Sequence, residues 1–243
     1  MSTKQLARVT GFLYLIVAIF GGFAHLFVRA QVYVPGDAGA TAHMVVANSG
    51  LVRIGVVADL LQATVFVFLG MAFYLLLKHV SANTARAMVI LVAIATTIIC
   101  LNMVFQFAAL LVATDGAYVA AFGAAGANAL VLLLLDIQHY GYLIAQIFFG
   151  LWLVPLGYLA YRSGMFPRAL GVLLVVGGVS YLVDMVALFL VPEFGAAVNG
   201  FVTIPPAVAE LWMVGYLLVK GVRMERQDTP APVTVRGQAV TAS

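Results

Sequence analysis

Six long apolar stretches, separated by short polar segments, dominate the pattern of residues along this chain. They cover residues 9–28, 54–77, 87–112, 139–161, 169–191 and 204–219. A helix needs about 20 apolar residues to cross the hydrocarbon core of a bilayer, because it rises about 1.5 Å per residue. The pattern therefore predicts an all-α fold: a polytopic membrane helical bundle with six transmembrane helices.

The composition agrees with this fold class, since 64% of the 243 residues are hydrophobic and only 9% are charged. Lysine and arginine in short loops mark the cytoplasmic side of a membrane protein. Arg29 and Arg53 fall on one side of the predicted bundle. The other ten basic residues fall on the side that holds both termini: Lys4, Arg8, Lys78, Arg86, Arg162, Arg168, Lys220, Arg223, Arg226 and Arg236. We therefore predict that both termini are cytoplasmic (N-in, C-in).

The same distribution accounts for the net charge of +3 without a nucleic acid partner, because the basic residues are spread over several short membrane loops. The lipid bilayer is the partner that the pattern predicts. Residues 1–226 form the predicted transmembrane domain. We expect the cytoplasmic tail, residues 227–243, to be disordered because its polar and small residues have little apolar surface to bury.

Two long segments connect spans on the side away from the cytoplasm. In residues 29–53, the Val-Pro-Gly-Asp run at 34–37 predicts a turn, and Thr41 is expected to cap a short helix after it. In residues 113–138, the apolar segment 124–135 is short for a seventh span. We interpret it as an interfacial or re-entrant helix, or as an outward extension of the fourth span.

Three runs of residues resemble a known family. They are VPGDAGATA at 34–42, FFGLWLVPLGYLAYRSGMFPRALGVLLVVGGVSYLVD at 148–184 and ELWMVGYLLVKGV at 210–222. These runs resemble the bacterial proteins grouped as domain of unknown function 4386, and the resemblance covers nearly the whole chain apart from the tail. It implies a six-span protein of the bacterial inner (plasma) membrane, and it implies no particular activity.

Strongly polar side chains within the apolar spans are the best indication of a functional site. Ionisable groups in hydrocarbon cost several kcal/mol each, so they are rarely found there without a partner or a task. With the spans threaded in alternating directions, these groups fall in the half of the bilayer away from the cytoplasm. The predicted polar chamber, a ligand-binding site, comprises His25, Asp59, Gln62, Asn102, Gln106, His139, Tyr142, Gln146, Tyr181, Asp184 and Glu210, with Arg29, Arg53 and Asp136 at its rim.

The predicted chamber is acidic, because it holds Asp59, Asp136, Asp184 and Glu210. A low dielectric does not tolerate their unpaired charges. Three outcomes would relieve the charge: protonation of the acids, a bound cation, or salt bridges to the two rim arginines. Pro206, one turn before Glu210, is expected to kink the sixth span.

A metal site is one alternative, since imidazole and carboxylate together suit zinc or iron. Its ligands would come from His25, His139, Asp59, Asp184 and Glu210. However, the chain has no H-x-x-x-H, H-E-x-x-H or E-x-x-H spacing, and its single cysteine, Cys100, offers no cysteine cluster. We therefore predict no cofactor.

The leading hypothesis is a membrane module that binds or transports a small cationic or amphiphilic solute, or protons, with His25 and His139 as proton partners. A membrane-embedded enzyme that is metal-dependent or uses acid/base chemistry is one alternative. A structural or accessory protein, in which the polar layer only holds helices together, is another. The sequence leaves open the choice among them, the substrate and the oligomeric state, a homo-oligomer included.

Overall fold

The chain is helical through most of residues 1–223, the part that the computed structural model describes, and no β-strand occurs there. A π-helical turn at Phe23–Val28 joins the first two helices. The helices are α1 Thr3–Gly22, α2 Arg29–Val32, α3 Ala38–Ala47, α4 Ser49–Leu77, α5 Ala82–Thr114, α6 Gly116–Arg162, α7 Arg168–Leu190, α8 Pro192–Val202 and α9 Ile204–Val219. The predicted disordered tail, residues 227–243, lies outside the described residues.

Six helical stretches in this part of the chain are long and apolar enough to cross a membrane: Thr3–Val32, Ser49–Leu77, Ala82–Thr114, Gly116–Arg162, Arg168–Leu190 and Pro192–Val219. The predicted all-α fold with six transmembrane helices is therefore confirmed. Two boundaries differ most from the prediction. The fourth stretch begins well before residue 139, and the sixth begins before residue 204.

The N-terminus, the end of α9 and two tight loops meet at one end of the bundle, which we call the basic end. Ser81 caps α5 there by accepting a hydrogen bond from the backbone N–H of Thr84. The backbone N–H of Arg223 donates to the carbonyl oxygen of Met165 in the loop between α6 and α7 (3.1 Å). Gly221 packs beside Lys4. The start of α1 and the end of α9 therefore lie on the same side of the bundle.

We predict that the basic end faces the cytoplasm, because basic loops are retained on that side. A reporter that is active only in the periplasm should give a strong signal when inserted at Gly36, in the turn at the opposite end. The same reporter should be silent when fused after Val222. A signal after Val222 with silence at Gly36 would contradict the predicted orientation.

Large aromatic side chains fill the core in the half of the bundle near the basic end. The Tyr14 ring packs edge-on against the rings of Phe73 and Trp152, with centroids 5.9 Å and 5.7 Å away. The Trp152 ring meets Phe66 at 5.0 Å. All four side chains are buried, and such edge-to-face pairs add stability beyond the burial of their area. They fix the first, second and fourth spans against one another.

Glycines set the distance between α6 and α7. Gly150 lies against Gly178, and Gly157 lies against Gly171 two turns away. A Cβ atom on Gly157 would be 2.6 Å from the carbonyl oxygen of Gly171, and one on Gly178 would be 2.6 Å from that of Gly150. The two backbones can approach so closely because no side chain separates them.

The far end of the bundle, opposite the basic end, has a second apolar core formed by residues of α3, α5 and α6 together with Val32 and Val52. The predicted short helix is present as α3. Asp37 caps it by accepting from the backbone N–H of Ala40 (2.8 Å). Capping by Thr41 was a wrong prediction: Thr41 is buried inside the helix, and its hydroxyl exchanges hydrogen bonds with the backbone of Val34.

Residues 124–135 are the far-end part of α6. The chain turns at Gly123, whose φ of +72° favours glycine, and it is helical from there to Arg162. Val131 and Leu135 pack in the far-end core. Of the alternative interpretations of this segment, the structure agrees with an outward extension of the fourth span. Residues 1–223 contain no seventh helix that could span the membrane.

The sixth span consists of α8 and α9, which are interrupted at Thr203. Pro205 and Pro206 follow at the start of α9, and neither has an N–H to bond the preceding turn. Gly177 of α7 packs closely here, since a Cβ on it would be 2.8 Å from Cα of Pro206. The interruption at Thr203 lies within one turn of Pro206, where the sequence predicts a kink, and two turns before Glu210.

Candidate functional site

Polar side chains from all six spans lie inside the bundle, but not in one layer. Asp59, Gln62, Asn102, Gln106, Gln146 and Asp184 are buried, and His25, His139, Tyr142, Tyr181 and Glu210 are half-buried. His25 follows Tyr14 by 11 residues on the first span, about 16 Å along the helix axis. These two residues belong to different groups of contacts, so the polar groups are spread along the axis of the bundle. The side chains form a column along the bundle.

The group nearest the basic end surrounds Glu210 of α9. The Tyr14 hydroxyl donates a hydrogen bond to Oε2 of Glu210 (2.9 Å), and the Tyr181 hydroxyl donates to Oε1 (3.2 Å). Hydrogen bonds to an ionised carboxylate are stronger than those between neutral groups. One phenol therefore holds each carboxylate oxygen, and the acid joins the first, fifth and sixth spans.

A cavity of about 90 Å³ adjoins this acid, and we call it the Glu210 cavity. Its polar, non-aromatic walls are Glu210 and Gln62. The carbonyl oxygen Oε1 of Gln62 has no hydrogen-bond partner among residues 1–223. Apart from Val17, the remaining walls are aromatic: Tyr14, Phe66, Tyr142, Phe149, Trp152 and Tyr181. The cavity thus combines one carboxylate and one amide with a mainly aromatic lining.

The middle group of the column pairs His25 with Asp59. Nε2 of His25 is 3.2 Å from Oδ1 of Asp59, and the His25 ring packs on Tyr142 with centroids 3.9 Å apart. His25 lies in the π-helical turn Phe23–Val28, and such turns occur frequently at functional sites. Asp59 is one turn from Gln62, and Tyr142 lines the Glu210 cavity. The His25–Asp59 pair therefore adjoins that cavity on its far-end side.

Asp184 belongs to a third group and lines neither the Glu210 cavity nor the small cavity beside His25. Its carboxylate accepts a hydrogen bond from Nε2 of Gln146 (2.7 Å). Nδ2 of Asn199 donates to both carboxylate oxygens, at 2.9 Å and 3.0 Å. Because the three residues come from α6, α7 and α8, this network ties three helices together.

At the rim, Arg29 and Asp136 share one partner. The guanidinium of Arg29 lies over the Tyr33 ring, 4.9 Å from its centroid, and the Tyr33 hydroxyl donates to Oδ1 of Asp136. Burial and this hydrogen bond raise the pKa of the Tyr33 hydroxyl to about 12. Arg53 is separate from this group: it is exposed and lies over Phe107 at 5.8 Å.

The salt bridges predicted as one outcome for the acids are not formed. Within residues 1–223, neither Arg29 nor Arg53 has a nitrogen within 4.0 Å of a carboxylate oxygen. Neither arginine reaches a carboxylate because Arg29 is stacked on Tyr33 and Arg53 lies at the surface near Phe107. Amide and phenol groups hydrogen-bond to Asp184 and Glu210, whereas Asp59 lies 3.2 Å from Nε2 of His25 without the geometry of a hydrogen bond.

The remaining predicted residues lie in the far-end half. Asn102 of α5 packs on Gly141 of α6, since a Cβ on Gly141 would clash with its amide oxygen. Nδ2 of Asn102 and Nδ1 of His139 have no hydrogen-bond partner in the described part of the chain. Gln106 lines the small cavity beside His25, together with Arg29 and Tyr33. His139 lies near the rim, with its ring centroid 6.1 Å from that of Tyr33.

The structure does not bring the proposed metal ligands together. Within residues 1–223, no three side chains of His, Cys, Asp and Glu are close enough to hold one metal ion. Asp59 has His25 as its neighbour, Asp184 has two amides and Glu210 has two phenols. Each acid of the column therefore has a different kind of partner.

Sequence reasoning missed several residues of these groups. In the sequence, Tyr14 and Trp152 are indistinguishable from other aromatic residues of apolar spans. Only the structure shows that both line the Glu210 cavity and that Tyr14 donates a hydrogen bond to Glu210. Asn199 lay outside every predicted span, because the sixth span was taken to begin at residue 204. The polar Asn199, seven residues after a helix-initiating proline, Pro192, was the signal that could have extended that span.

The comparison with protein families gives one match. A family model described as Domain of unknown function (DUF4386) matches residues 9–221. Searches of curated proteins and of solved structures found no match. The matched residues include the Glu210 cavity, the His25–Asp59 pair and the Asp184 network. Because the match covers most of the chain and includes parts of all six apolar stretches, the chain belongs to the family of domains of unknown function DUF4386.

Proposed function

We propose that this protein binds a small cationic solute at Glu210 and carries it, or protons, across the membrane. The proposal rests on the charge of Glu210. Among residues 1–223, no Lys, Arg or His nitrogen lies within 4.0 Å of its carboxylate. Two tyrosine hydroxyls hold the group but bring no positive charge. Because an unpaired carboxylate is costly in a membrane interior, Glu210 is suited to take up a cation or a proton.

A column of polar side chains supports access from the far end. Gln62 and Tyr142 line the Glu210 cavity, and they adjoin Asp59 and His25. Beyond this pair, Arg29 lies 15 residues from Tyr14 on the first span, about 22 Å along its axis. A polar path with both acidic and histidine groups over this distance suits the movement of a cation or proton.

The tightly packed core between the Glu210 cavity and the basic end supports access to the cavity from the far end only. Phe73, Leu77 and Leu217 are 0% exposed, and the first of these packs on Tyr14 at the cavity wall. Transport then requires a second arrangement that opens this core. Transporters commonly place such sites beside discontinuous helices, and the interruption at Thr203 lies two turns from Glu210.

We further propose that the membrane is the bacterial inner membrane and that the basic end is cytoplasmic, as the family resemblance and the basic loops imply. A structural role is the second candidate, and one observation favours it for one residue. Asp184 is 1% exposed and is fully engaged by two amide donors. We assign that acid to the support of the bundle and Glu210 to the solute.

The test is the effect of small cations on the thermal stability of the purified protein. A ligand that binds only the folded state raises its stability, by about 2.7 kcal/mol at 100 times Kd. We expect ammonium and methylated ammonium chlorides to raise the melting temperature of the wild type by several degrees over N-methylglucamine chloride. The Glu210→Gln variant should fold, because it keeps the shape of the side chain, and should lose this response.

Glu193→Gln is the matched control, because Glu193 is an exposed acid in the first turn of α8. This variant should respond to cations as the wild type does. In proteoliposomes, the wild type should also move a radiolabelled cation that stabilises it, and Glu210→Gln should not. A Glu210→Gln protein that responds as fully as the wild type would rule out Glu210 as the cation site.

A further inference from the structure

The lining of the Glu210 cavity is more informative than its charge alone. Six of its walls are aromatic rings, and the only full charge among them is the Glu210 carboxylate. Aromatic faces attract cations within about 6 Å of the ring centroid, and cages of such faces recognise alkylated ammonium groups. Gln62, which is 7% exposed and has an unpartnered carbonyl oxygen, adds a hydrogen-bond acceptor to the walls.

The volume of the cavity limits the size of its ligand. A cavity of about 150 Å³ accommodates benzene, which has six heavy atoms. By the same proportion, the Glu210 cavity of about 90 Å³ accommodates roughly four heavy atoms. Dimethylammonium and trimethylammonium, with three and four heavy atoms, match this size. A long-chain amphiphile exceeds it.

The polar groups favour a cation that carries an N–H. The Glu210 carboxylate can accept a charge-assisted hydrogen bond from an ammonium N–H, and this bond is stronger than an ion contact through methyl groups. Methyl groups would lie against the aromatic faces. A hard metal cation instead needs several oxygen ligands, and carboxylate and amide groups are the minority of these walls.

We propose that the ligand of the Glu210 cavity is a compact alkylated ammonium ion with at least one N–H, of the dimethylammonium and trimethylammonium class. This inference rests on the proposed function, because it names the solute of the same site. Glu210 pairs with the ammonium charge, the rings of Trp152 and Phe149 contact the methyl groups, and Gln62 accepts a second hydrogen bond where the ligand offers one.

The first experiment compares the chloride salts of sodium, potassium, ammonium, methylammonium, dimethylammonium, trimethylammonium and tetramethylammonium on the full-length protein in detergent. The apparent Kd of each salt is obtained from its effect on the melting temperature. We expect dimethylammonium and trimethylammonium to bind most tightly, about tenfold or more over sodium and potassium. Tetramethylammonium, which is larger and has no N–H, should bind more weakly than trimethylammonium. Neutral isopropanol, which has four heavy atoms and a branched shape like trimethylammonium, should have no effect.

The second experiment changes the walls. Phe149→Leu removes an aromatic face from the cavity and keeps an apolar side chain of moderate size. It should weaken trimethylammonium binding about 3- to 30-fold, the range expected for one cation–π contact, and leave the affinity for sodium unchanged. Phe122→Leu, an exposed phenylalanine outside the cavity, should leave both affinities unchanged. A structural defect alone would not alter the ratio of the two affinities.

The outcomes separate the two proposals. If sodium or potassium binds as tightly as trimethylammonium and Glu210→Gln abolishes both, the ligand class is wrong and the cation site at Glu210 stands. If tetramethylammonium binds most tightly, the need for an N–H is wrong. If no salt of the series changes the melting temperature, or if Glu210→Gln binds all of them normally, the proposed function itself fails.

Discussion

Gly157→Ala is expected to lower the melting temperature of the purified protein by roughly 5–10 °C, one of the largest effects of any single methyl group in this fold. The added Cβ would be 2.6 Å from the carbonyl oxygen of Gly171 and 2.8 Å from Cγ2 of Val175. The first neighbour is backbone, so it cannot rotate away. The two helices must separate, and their other contacts weaken along the whole interface.

Gly215→Ala is the control for this change. Gly215 lies in α9, and a Cβ there would have no heavy atom within 4 Å. Alanine is favoured over glycine in a helix by about 1 kcal/mol, so this variant should melt at the same temperature or slightly higher. Thermal unfolding in one detergent, followed by circular dichroism, measures both. Equal melting temperatures for the Gly157→Ala variant and the wild type would show that α6 and α7 are not packed as described.

Asp184→Leu is expected to destabilise the protein by about 3 kcal/mol, and Asp184→Asn by about 1–2 kcal/mol. The carboxylate accepts hydrogen bonds from Gln146 and Asn199 in a site that is 1% exposed. Leucine leaves both amide groups without their acceptor. Asparagine restores one acceptor oxygen but turns an N–H₂ group toward donors, so part of the network is lost.

Asp37→Asn serves as the control, because Asp37 is an exposed acid that caps α3 and asparagine caps helices equally well. This variant should unfold within a few tenths of a kcal/mol of the wild type. Both Asp184 variants should keep cation binding at Glu210 in the material that remains folded. An Asp184→Asn protein that is as stable as the wild type but binds no cation would instead make Asp184 part of the solute site.

The spans were predictable from the sequence because hydrophobicity over about 20 residues is a strong and local signal. The buried position of Asp59, Gln62 and Asp184 was also predictable, since polar groups on apolar helices avoid lipid. Their depth was less secure, because it was counted from assumed helix ends. The sixth span begins at Pro192 and not at residue 204, so Glu210 lies in the half of that span nearer the basic end.

The contact partners of the polar side chains were not predictable from the sequence, because they are residues that lie far apart in the chain. Glu210 and Tyr14 are separated by 196 positions in the chain, and no local pattern connects them. The π-helical turn that positions His25 likewise has no clear sequence signal, since Phe-Ala-His-Leu-Phe-Val resembles any apolar helical run. Salt bridges from the rim arginines to the acids were one of three outcomes considered, and in the structure both arginines lie over aromatic rings instead.

The interruption of the sixth span has a mechanical consequence. Pro205 and Pro206 have no backbone N–H, so two hydrogen bonds of a continuous helix are missing at this joint. On one side, α8 is anchored to α7 through Asn199 and Asp184. On the other side, α9 carries Glu210. A small pivot at Thr203 would therefore move Glu210 relative to Tyr14 and leave the anchor at Asp184 in place.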